Sequence, residues 1–242
     1  MNILAEITIP SSARNQRDIK VGTTILSNFT FYSPCFSKYS GSLLFSHILS
    51  KVTFTGLSYS KTSTISVSNI EITNVHQHGR SGNTPKGMCI AFDNAVHTFR
   101  AELADNYLSL DTIKTTLSHS EYPLFMLPQT VAKWTTTAKN PVPTTEADKN
   151  HNSYMKVTCT VKDKASNVVL IDNGAIYIPL EVNWEQGKKY RYTLLFGDGE
   201  NGFKPDGSHD DNLLQIKYNV TATDWNQVVD SELGIGGGMR SR

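Results

Sequence analysis

The sequence of 242 residues has only three cysteines, and no two of them lie close together. Cys35, Cys89 and Cys159 form no C-x-x-C motif and no Cys/His spacing, which disfavours both a disulfide framework and a zinc site. We expect each cysteine to lie in an apolar environment as a small hydrophobic residue.

Long hydrophobic runs and an excess of one charge are also missing. No stretch approaches the roughly 20 apolar residues that a transmembrane helix needs. The first eleven residues lack the pattern of a signal peptide; taken literally, this predicts no export, and for an exported protein Met1 would mark a mature or shortened start. The 23 Lys and Arg balance 22 Asp and Glu without a basic block, so nucleic acid and anionic membranes are not expected partners.

Catalytic and nucleotide-binding motifs are scarce as well. The sequence contains neither a G-x-S-x-G nucleophile elbow nor a G-x-x-x-x-G-K-[ST] loop. We therefore predict no enzyme, no catalytic residue and no cofactor. A hydrolase on a β-sandwich remains a less favoured alternative, because a pair of catalytic carboxylates is close in space and not in sequence.

The sequence does contain many segments in which apolar and polar residues alternate. Val52 and Phe54 alternate with threonines, and Tyr190 and Tyr192 alternate with Arg191 and Thr193. This period of two predicts strands with one buried face, and hence an all-β protein of antiparallel sheets packed as a sandwich. The alternation is clearest over residues 25–32, 51–59, 65–75, 88–92, 122–127, 155–161, 168–178, 189–196 and 213–223.

Other segments predict a helix, turns and loops. Val96, Phe99 and Leu103 have helical spacing, which predicts a short helix or an irregular crossing over residues 94–104. The glycines and asparagine of residues 79–83 predict a turn, and the polar residues 139–152 predict an exposed loop. The tail from Asp230, with three consecutive glycines, is expected to be mobile.

Two groups of side chains could bind metal ions. His76 and His78 would share one face of a strand, although polar residues at a strand end are the favoured interpretation. The loop 197–212 is rich in oxygen ligands suited to calcium, yet turns need the same residue types and the spacing differs from an EF-hand. We therefore predict no metal site and leave calcium as an alternative for this loop, whose acidic and amide residues are Asp198, Glu200, Asn201, Asp206, Asp210 and Asp211.

The three tryptophans distinguish two functional classes. Exposed Trp134, Trp184 and Trp225 would favour a carbohydrate-binding surface module, in which aromatic rings stack on sugars. Buried rings would mean that they close the ends of the core, which is the favoured interpretation.

A series of motifs resembles the fimbrillin family, the subunits of type V pili. The first motif is F-x-H-x-L-S-K-V, with Phe45, His47 and Lys51. It is followed by V-S-N-I-E-I-T at residues 67–73 and by Y-P-L-F-M-L-P-Q at residues 122–129. The third motif contains Pro128 and Gln129. A fourth motif, W-E-Q-G-K-K-Y, contains Trp184, Gly187, Lys188 and Tyr190. Trp225 follows the last strand pattern.

The resemblance covers residues 42–226 and implies a transthyretin-like β-sandwich. It also implies a cell-surface pilus subunit, made as a lipoprotein precursor, anchored at the outer membrane and joined to other pilin subunits by strand exchange. The fibre would support adhesion to host or bacterial surfaces. The lipid-acceptor cysteine of the family has no counterpart here, because Cys35 follows Phe-Tyr-Ser-Pro and not a hydrophobic run.

The resemblance also implies how the chain is divided and processed. Residues 1–41 would be an N-terminal segment, the remnant of a second sandwich domain, because only 44 residues precede Phe45. Residues 42–229 would form the fimbrillin-like domain, and residues 230–242 a flexible tail. Within the first segment, residues 5–9 could be a removable strand, with Arg14 or Arg17 as the cleavage point.

Overall fold

A computed structural model describes residues 2–25, 42–84, 87–92, 95–104, 108–110, 112–135, 152–197, 216–225 and 228–230. Cys35, the acidic loop beyond Gly197, most of the predicted polar loop and the tail after Asp230 lie outside these residues. No described helix is long and apolar enough to cross a membrane.

The described residues are almost entirely β-strand, which confirms the all-β prediction. One turn of 3-10 helix, Ala13–Asn15, interrupts the N-terminal segment. The strands within the described ranges are β1 Asn2–Thr8, β2 Lys20–Ile25, β3 Ser42–His47, β4 Ser50–Ser58, β5 Ser63–His76, β6 His78–Thr84, β7 Gly87–Phe92, β8 Val96–Arg100, β9 Leu108–Leu110, β10 Thr115–Thr116, β11 Leu124–Met126, β12 Gln129–Val131, β13 Tyr154–Asp163, β14 Val169–Pro179, β15 Val182–Trp184, β16 Lys188–Phe196, β17 Ile216–Asp224 and β18 Val228–Asp230.

Two larger sheets form an open sandwich. The first has the strand order β10-β4-β16-β17, with β11 also paired to β4. The second has the order β14-β13-β5-β8, with β9 also paired to β5. Most pairs are antiparallel, but β4 and β16 run parallel. Parallel strands cannot be joined by a tight hairpin, and more than a hundred residues separate these two along the chain.

The core lies between the two sheets and follows the alternation of the sequence. On β4, Val52 and Phe54 are fully buried, while the neighbouring Thr53 is half-buried. On β13, Val157 and Cys159 point into the core in the same way. Each fully buried side chain of this size contributes about 1.5–3 kcal/mol. Cys159 therefore serves as a small core hydrophobe, as predicted.

Two contacts show how the sheets lie over one another. A Cβ on Gly56 of β4 would come within 3.0 Å of Leu110 of β9, so these strands approach closely. At the opposite side, the backbone N–H of Glu181, just after β14, donates a hydrogen bond of 3.3 Å to the Tyr218 hydroxyl of β17. The edge strands β14 and β17 therefore lie on the same side of the sandwich.

Three small sheets extend this sandwich. They have the strand orders β1-β6-β7, β18-β3-β2 and β12-β15. Strands β1 and β2 belong to the N-terminal segment and pair with β6 and β3, respectively, of the predicted fimbrillin-like domain. The division of the chain at residue 41 stays a prediction.

Two local predictions are wrong. The predicted helix 94–104 contains strand β8, which pairs with β5 and buries Phe99 and, just after the strand, Ala101 on the same side. The predicted turn 79–83 lies within β6, which is paired on one side with β1 and on the other with β7. In both cases, backbone pairing with neighbouring strands outweighs the local preference.

Candidate functional site

The residues of the fimbrillin motifs meet at one end of the first sheet. His47, just before β4, lies beside Trp225, which follows β17, and the two rings stack with centroids 3.7 Å apart and planes 3° apart. Trp225 also stacks on Phe125 of β11, with centroids 5.6 Å apart. The Lys51 ammonium lies 5.8 Å from the centroid of the Trp225 ring, in the range of a cation–π contact.

The N-terminal segment reaches this aromatic stack through Asp18. One Asp18 carboxylate oxygen lies 2.8 Å from Nδ1 of His47. The other oxygen, Oδ1, is buried and has no hydrogen-bond partner among the described residues. The backbone N–H of Ile48 donates to the carbonyl of Ile19 at 3.1 Å. The segment around Asp18 is therefore fixed to the start of the sandwich by both side-chain and backbone contacts.

Gly187 forms the turn that holds Trp225 in place. Its φ of +68° lies in the left-handed region, where a side chain is strained. The Gly187 N–H donates to the carbonyl of Leu49 at 3.2 Å, and the Gly187 carbonyl accepts from the Trp225 N–H at 2.7 Å. This one residue thus joins the F-x-H motif, the W-E-Q-G-K-K-Y motif and the last tryptophan.

Polar contacts fix the other residues of the W-E-Q-G-K-K-Y motif, partly in a buried cluster and partly at the surface. The Trp184 indole N–H donates to the Tyr192 hydroxyl at 3.0 Å. The Tyr190 hydroxyl accepts from the Glu185 N–H at 2.8 Å. Lys188 forms an exposed ion pair of 2.6 Å with Asp224. These contacts give the motif a structural role, because each polar atom of the two tyrosines and of Trp184 has a partner where water is largely excluded.

The Gln129 side chain links β12 to the end of β5. Its side chain is buried, with the amide oxygen accepting from the His76 N–H at 2.7 Å and the amide nitrogen donating to the His76 carbonyl at 3.2 Å. It therefore replaces a backbone pair at the end of β5. Pro128 precedes Gln129 between β11 and β12, and Phe45 lies on β3, opposite Gly22 of β2.

The N-terminal segment before Asp18 also packs into the core. Strand β1 pairs antiparallel with β6, and Ile7, Ile9 and Ala13 are buried. The Ile9 N–H donates to the Gln77 carbonyl at 2.9 Å, and the Gln77 side chain donates back to the Ile9 carbonyl at 2.7 Å. The segment is thus held to the fold by the pairing of β1 with β6 and by the burial of Ile7 and Ile9.

The two candidate cleavage residues differ in their surroundings. Arg14 lies in the 3-10 turn, its guanidinium 2.5 Å from a Glu102 carboxylate oxygen and 5.2 Å from the centroid of the Tyr122 ring. The hydrogen bond from Arg14 lowers the pKa of Glu102. Arg17 is exposed and follows the turn, and its side chain donates to the carbonyls of Gln16 and Arg14. The Arg14 side chain is thus ion-paired with Glu102, whereas the side-chain contacts of Arg17 are confined to its own turn.

The open side of the sandwich is formed by the two edge strands. On β17 the residues from Asn219 onwards are exposed on both faces, and Val220 is 49% exposed. On β14, Val169 and Leu170 are also exposed. Apolar edges of this kind, which no other described strand pairs, are sites at which another strand can add.

The buried tryptophans disfavour the sugar-stacking alternative. Trp134 and Trp184 are only 1% and 2% exposed. Trp225 is partly exposed, but its ring is already stacked on His47 and Phe125. These rings therefore pack the protein and leave no aromatic platform for a sugar among the three.

His76 and His78, the less favoured candidates for a metal-binding pair, have separate neighbours. Nδ1 of His76 lies 3.3 Å from the Ala95 carbonyl, and its ring stacks on Phe92. Nδ1 of His78 lies 2.6 Å from the Thr8 hydroxyl. Within the described parts of the chain, no group of three or more His, Cys, Asp or Glu has the arrangement of a metal site.

Sequence reasoning identified most residues of the aromatic stack but missed Asp18 and Phe125. Asp18 is 29 residues from its partner His47 in the sequence, and no motif marks it. Phe125 lies within the quoted motif Y-P-L-F-M-L-P-Q, but its contact with Trp225 depends on the pairing of β11 with β4. The alternation in that motif could have revealed the position of Phe125, because it places Phe125 on the opposite face of the strand from Leu124 and Met126.

Comparison with known proteins agrees with these motifs. The sequence profile of the fimbrillin-like family matches residues 36–225. No curated protein matches the chain. The structure of a fimbrial protein from Bacteroides vulgatus is similar over 75% of this chain and 56% of its own, with 14% identity and a TM-score of 0.41.

Two further solved structures are similar, both of candidate cell adhesion proteins. The Parabacteroides distasonis structure is 10% identical over 75% of this chain and 60% of its own, with a TM-score of 0.41. The Bacteroides eggerthii structure is 14% identical over 77% of this chain and 64% of its own, with a TM-score of 0.35. The chain thus spans less than two thirds of the length of these three proteins. With the profile matching most of its length, the chain is not an enzyme and belongs to the fimbrillin-like family.

Proposed function

We propose that the chain is a subunit of a cell-surface pilus, joined to other pilin subunits by strand exchange. The family match over residues 36–225 supports the pilus role. The pilus would be exported through a lipoprotein precursor, anchored at the outer membrane, and used for adhesion to host or bacterial surfaces. The position of the subunit in the shaft, tip or anchor is left open by this proposal.

The N-terminal strand supports the strand-exchange part of the proposal. Strand β1 contributes Ile7 and, just beyond its end, Ile9 to the core, and it pairs with β6 along its length. Loss of the segment would leave the edge of β6 unpaired and two apolar sites empty. An extended strand from another subunit can supply backbone hydrogen bonds and alternate apolar side chains to such a groove.

Proteolysis after Arg17 would release the segment. Cleavage there removes Ile7, Ile9 and Ala13 together, whereas Asp18 stays with the domain and keeps its contact with His47. Arg14 is a poorer target, because its peptide bond lies in a turn with buried Ala13 and its side chain is paired with Glu102. We therefore assign the cleavage to the bond after Arg17.

The test is digestion of the purified chain with an arginine-specific protease, followed by size-exclusion chromatography and electron microscopy. We expect ordered polymers only after digestion. The variant Arg17→Lys removes the cleavage site and keeps the charge, so it should stay monomeric. The matched variant Arg14→Lys should still polymerise.

Two results would contradict the proposal. Polymerisation of Arg17→Lys after digestion would show that the cleavage site is elsewhere. Mature pili whose subunits begin intact at Met1, measured by mass spectrometry, would remove the trimming step altogether.

A further inference from the structure

The outer face of the first sheet carries three cations around one depression. On β4, Val52 and Phe54 point into the core, so Lys51 points outwards. Lys189 of β16 is paired with Lys51, and Arg191 follows two residues later on the same face. These side chains, with threonines of β4 and β17, line a depression of about 280 Å³. We call this surface the basic face.

The charges of the basic face are offset only in part by a neighbouring carboxylate, that of Asp18. No Asp or Glu is among the described residues that line the depression. Among the described residues, none of the three cations forms an ion pair within 4.0 Å, whereas Lys20, Lys156 and Lys188 elsewhere do. The face thus has a positive charge that the rest of the described protein leaves available.

Without a bound anion, the positive charge of Lys51 is unfavourable. Burial lowers the pKa of Lys51, repulsion from Lys189 lowers it further, and attraction by Asp18 offsets these effects only in part. Like charges directly opposite on neighbouring strands destabilise a sheet. A bound anion would relieve this repulsion, and local conflicts of this kind are expected at functional sites.

Hydroxyl groups accompany the cations. Thr221 and Thr223 of β17 lie opposite Arg191 and Lys189 and are exposed. A threonine hydroxyl both donates and accepts hydrogen bonds, as the hydroxyls of a sugar do. The face therefore combines sites for acidic groups with sites for neutral hydroxyls.

Other classes of partner fit this face less well. A peptide strand would need free backbone groups, but β16 is paired on one side with β4 and on the other with β17. Single-stranded nucleic acid would need exposed aromatic rings, but Tyr190 at the depression is buried and Trp225 is already stacked.

We propose that the basic face binds an acidic polysaccharide, whose carboxylate or sulfate groups contact Lys51, Lys189 and Arg191 and whose hydroxyls contact Thr221 and Thr223. This inference goes beyond the assembly role. It does not depend on strand exchange, because one untrimmed monomer carries the whole face.

The test is binding of the full-length monomer to immobilised heparin, alginate and neutral dextran, measured by biolayer interferometry. We expect binding to heparin, to alginate or to both, which distinguishes sulfate from carboxylate recognition, and no binding to dextran. The affinity should fall as salt is raised from about 0.15 M to about 0.5 M, because exposed charges are screened.

Two charge variants locate the site. The double variant Lys189→Gln/Arg191→Gln should weaken binding by about tenfold or more, because it removes two charge-assisted contacts with the acidic groups. The matched double variant Lys156→Gln/Lys162→Gln lies on the outer face of the second sheet and should bind within about twofold of the original chain. Urea midpoints of both variants establish that they are folded.

A third variant separates sugar recognition from general attraction of anions. Thr221→Val/Thr223→Val keeps every charge and should weaken binding to the acidic polysaccharide. The proposal is overturned if the Lys189/Arg191 variant binds like the original chain, if the Lys156/Lys162 variant loses as much affinity, or if dextran binds equally well. Tighter binding of duplex DNA than of either polysaccharide would also overturn it.

Discussion

At the residue scale, Trp225 connects parts of the chain that are far apart in sequence. Its ring stacks on His47 and Phe125, and its backbone N–H is bound by Gly187. His47 in turn contacts Asp18 of the N-terminal segment. Trp225, the last residue of the motif series, therefore stabilises the fold through contacts with three distant residues.

We predict that Trp225→Ala lowers the free energy of unfolding by about 2–4 kcal/mol, because a largely packed aromatic ring and its stacking are lost. Urea denaturation followed by tyrosine and tryptophan fluorescence measures this. The control is Tyr59→Ala, since Tyr59 is 48% exposed and should cost far less. Equal effects of the two substitutions would contradict the structural role of the stack.

Cys159 gives a second prediction at this scale. Burial raises the pKa of its thiol to about 12, so the thiol stays protonated at physiological pH. In a variant with Cys35→Ser and Cys89→Ser, Cys159 should not react with a thiol reagent at about pH 8 until urea unfolds the protein. Rapid labelling of the folded variant would show that Cys159 is accessible.

The sequence predicted the identity of many residues at this site but not their contacts. His47, Gly187 and Trp225 were identified by motifs, and His47 precedes the other two by more than a hundred residues. Their meeting depends on the parallel pairing of β4 with β16, which periodicity does not reveal. The basic face was missed for the same reason, because Lys51 and Lys189 are neighbours only across that pair.

At the element scale, the long strands were predictable, as were β7 and β11 within residues 88–92 and 122–127, whereas β6 and β8 were not. Strands β4, β5, β13 and β16 alternate over many residues, and the structure has them where the pattern predicted. Strand β6 contains Gly79 and Gly82, which favour turns, and forms because it is paired on both sides. Strand β8 has only five residues, too few for periodicity to distinguish it from a helix.

Strand β1 is attached mainly by Ile7 and Ile9, which leads to a prediction about local opening. The double variant Ile7→Ala/Ile9→Ala should be cleaved after Arg17 at least about tenfold faster, because losing buried methyl groups favours detachment of the segment. The rate is measured by mass spectrometry during limited digestion. As a control, Val220→Ala removes an exposed side chain from another edge strand and should leave the rate unchanged.

The ion pair between Arg14 and Glu102 should hold the same segment in a pH-dependent way. The pKa of Glu102 is lowered in the folded state, so the pair stabilises the protein above the ordinary pKa of a glutamate and is lost as the pH falls through the lowered value. The difference in unfolding free energy between the original chain and Glu102→Gln should therefore be present at neutral pH. It should shrink in acid, and a difference that grows in acid would contradict the assignment.

At the scale of the whole molecule, the proposed strand-exchange groove and the proposed polysaccharide site lie on different surfaces. The strand-exchange groove proposed above lies along β6, at the N-terminal segment, whereas the basic face lies on the outside of β4, β16 and β17. A subunit could thus be joined to its neighbours while the basic face remains available. The structure of the single chain also has exposed apolar residues on β14 and β17, which further contacts in a fibre could cover.

The most direct test of the assembly proposal is hydrogen exchange of β6 before and after polymerisation. In the intact chain, the amides of His78–Thr84 that pair with β1 should be protected. In the monomer trimmed after Arg17 they should exchange faster, and in polymers of the trimmed chain an incoming strand should protect them again. Polymers in which these amides exchange as fast as in the trimmed monomer would contradict strand exchange at this groove.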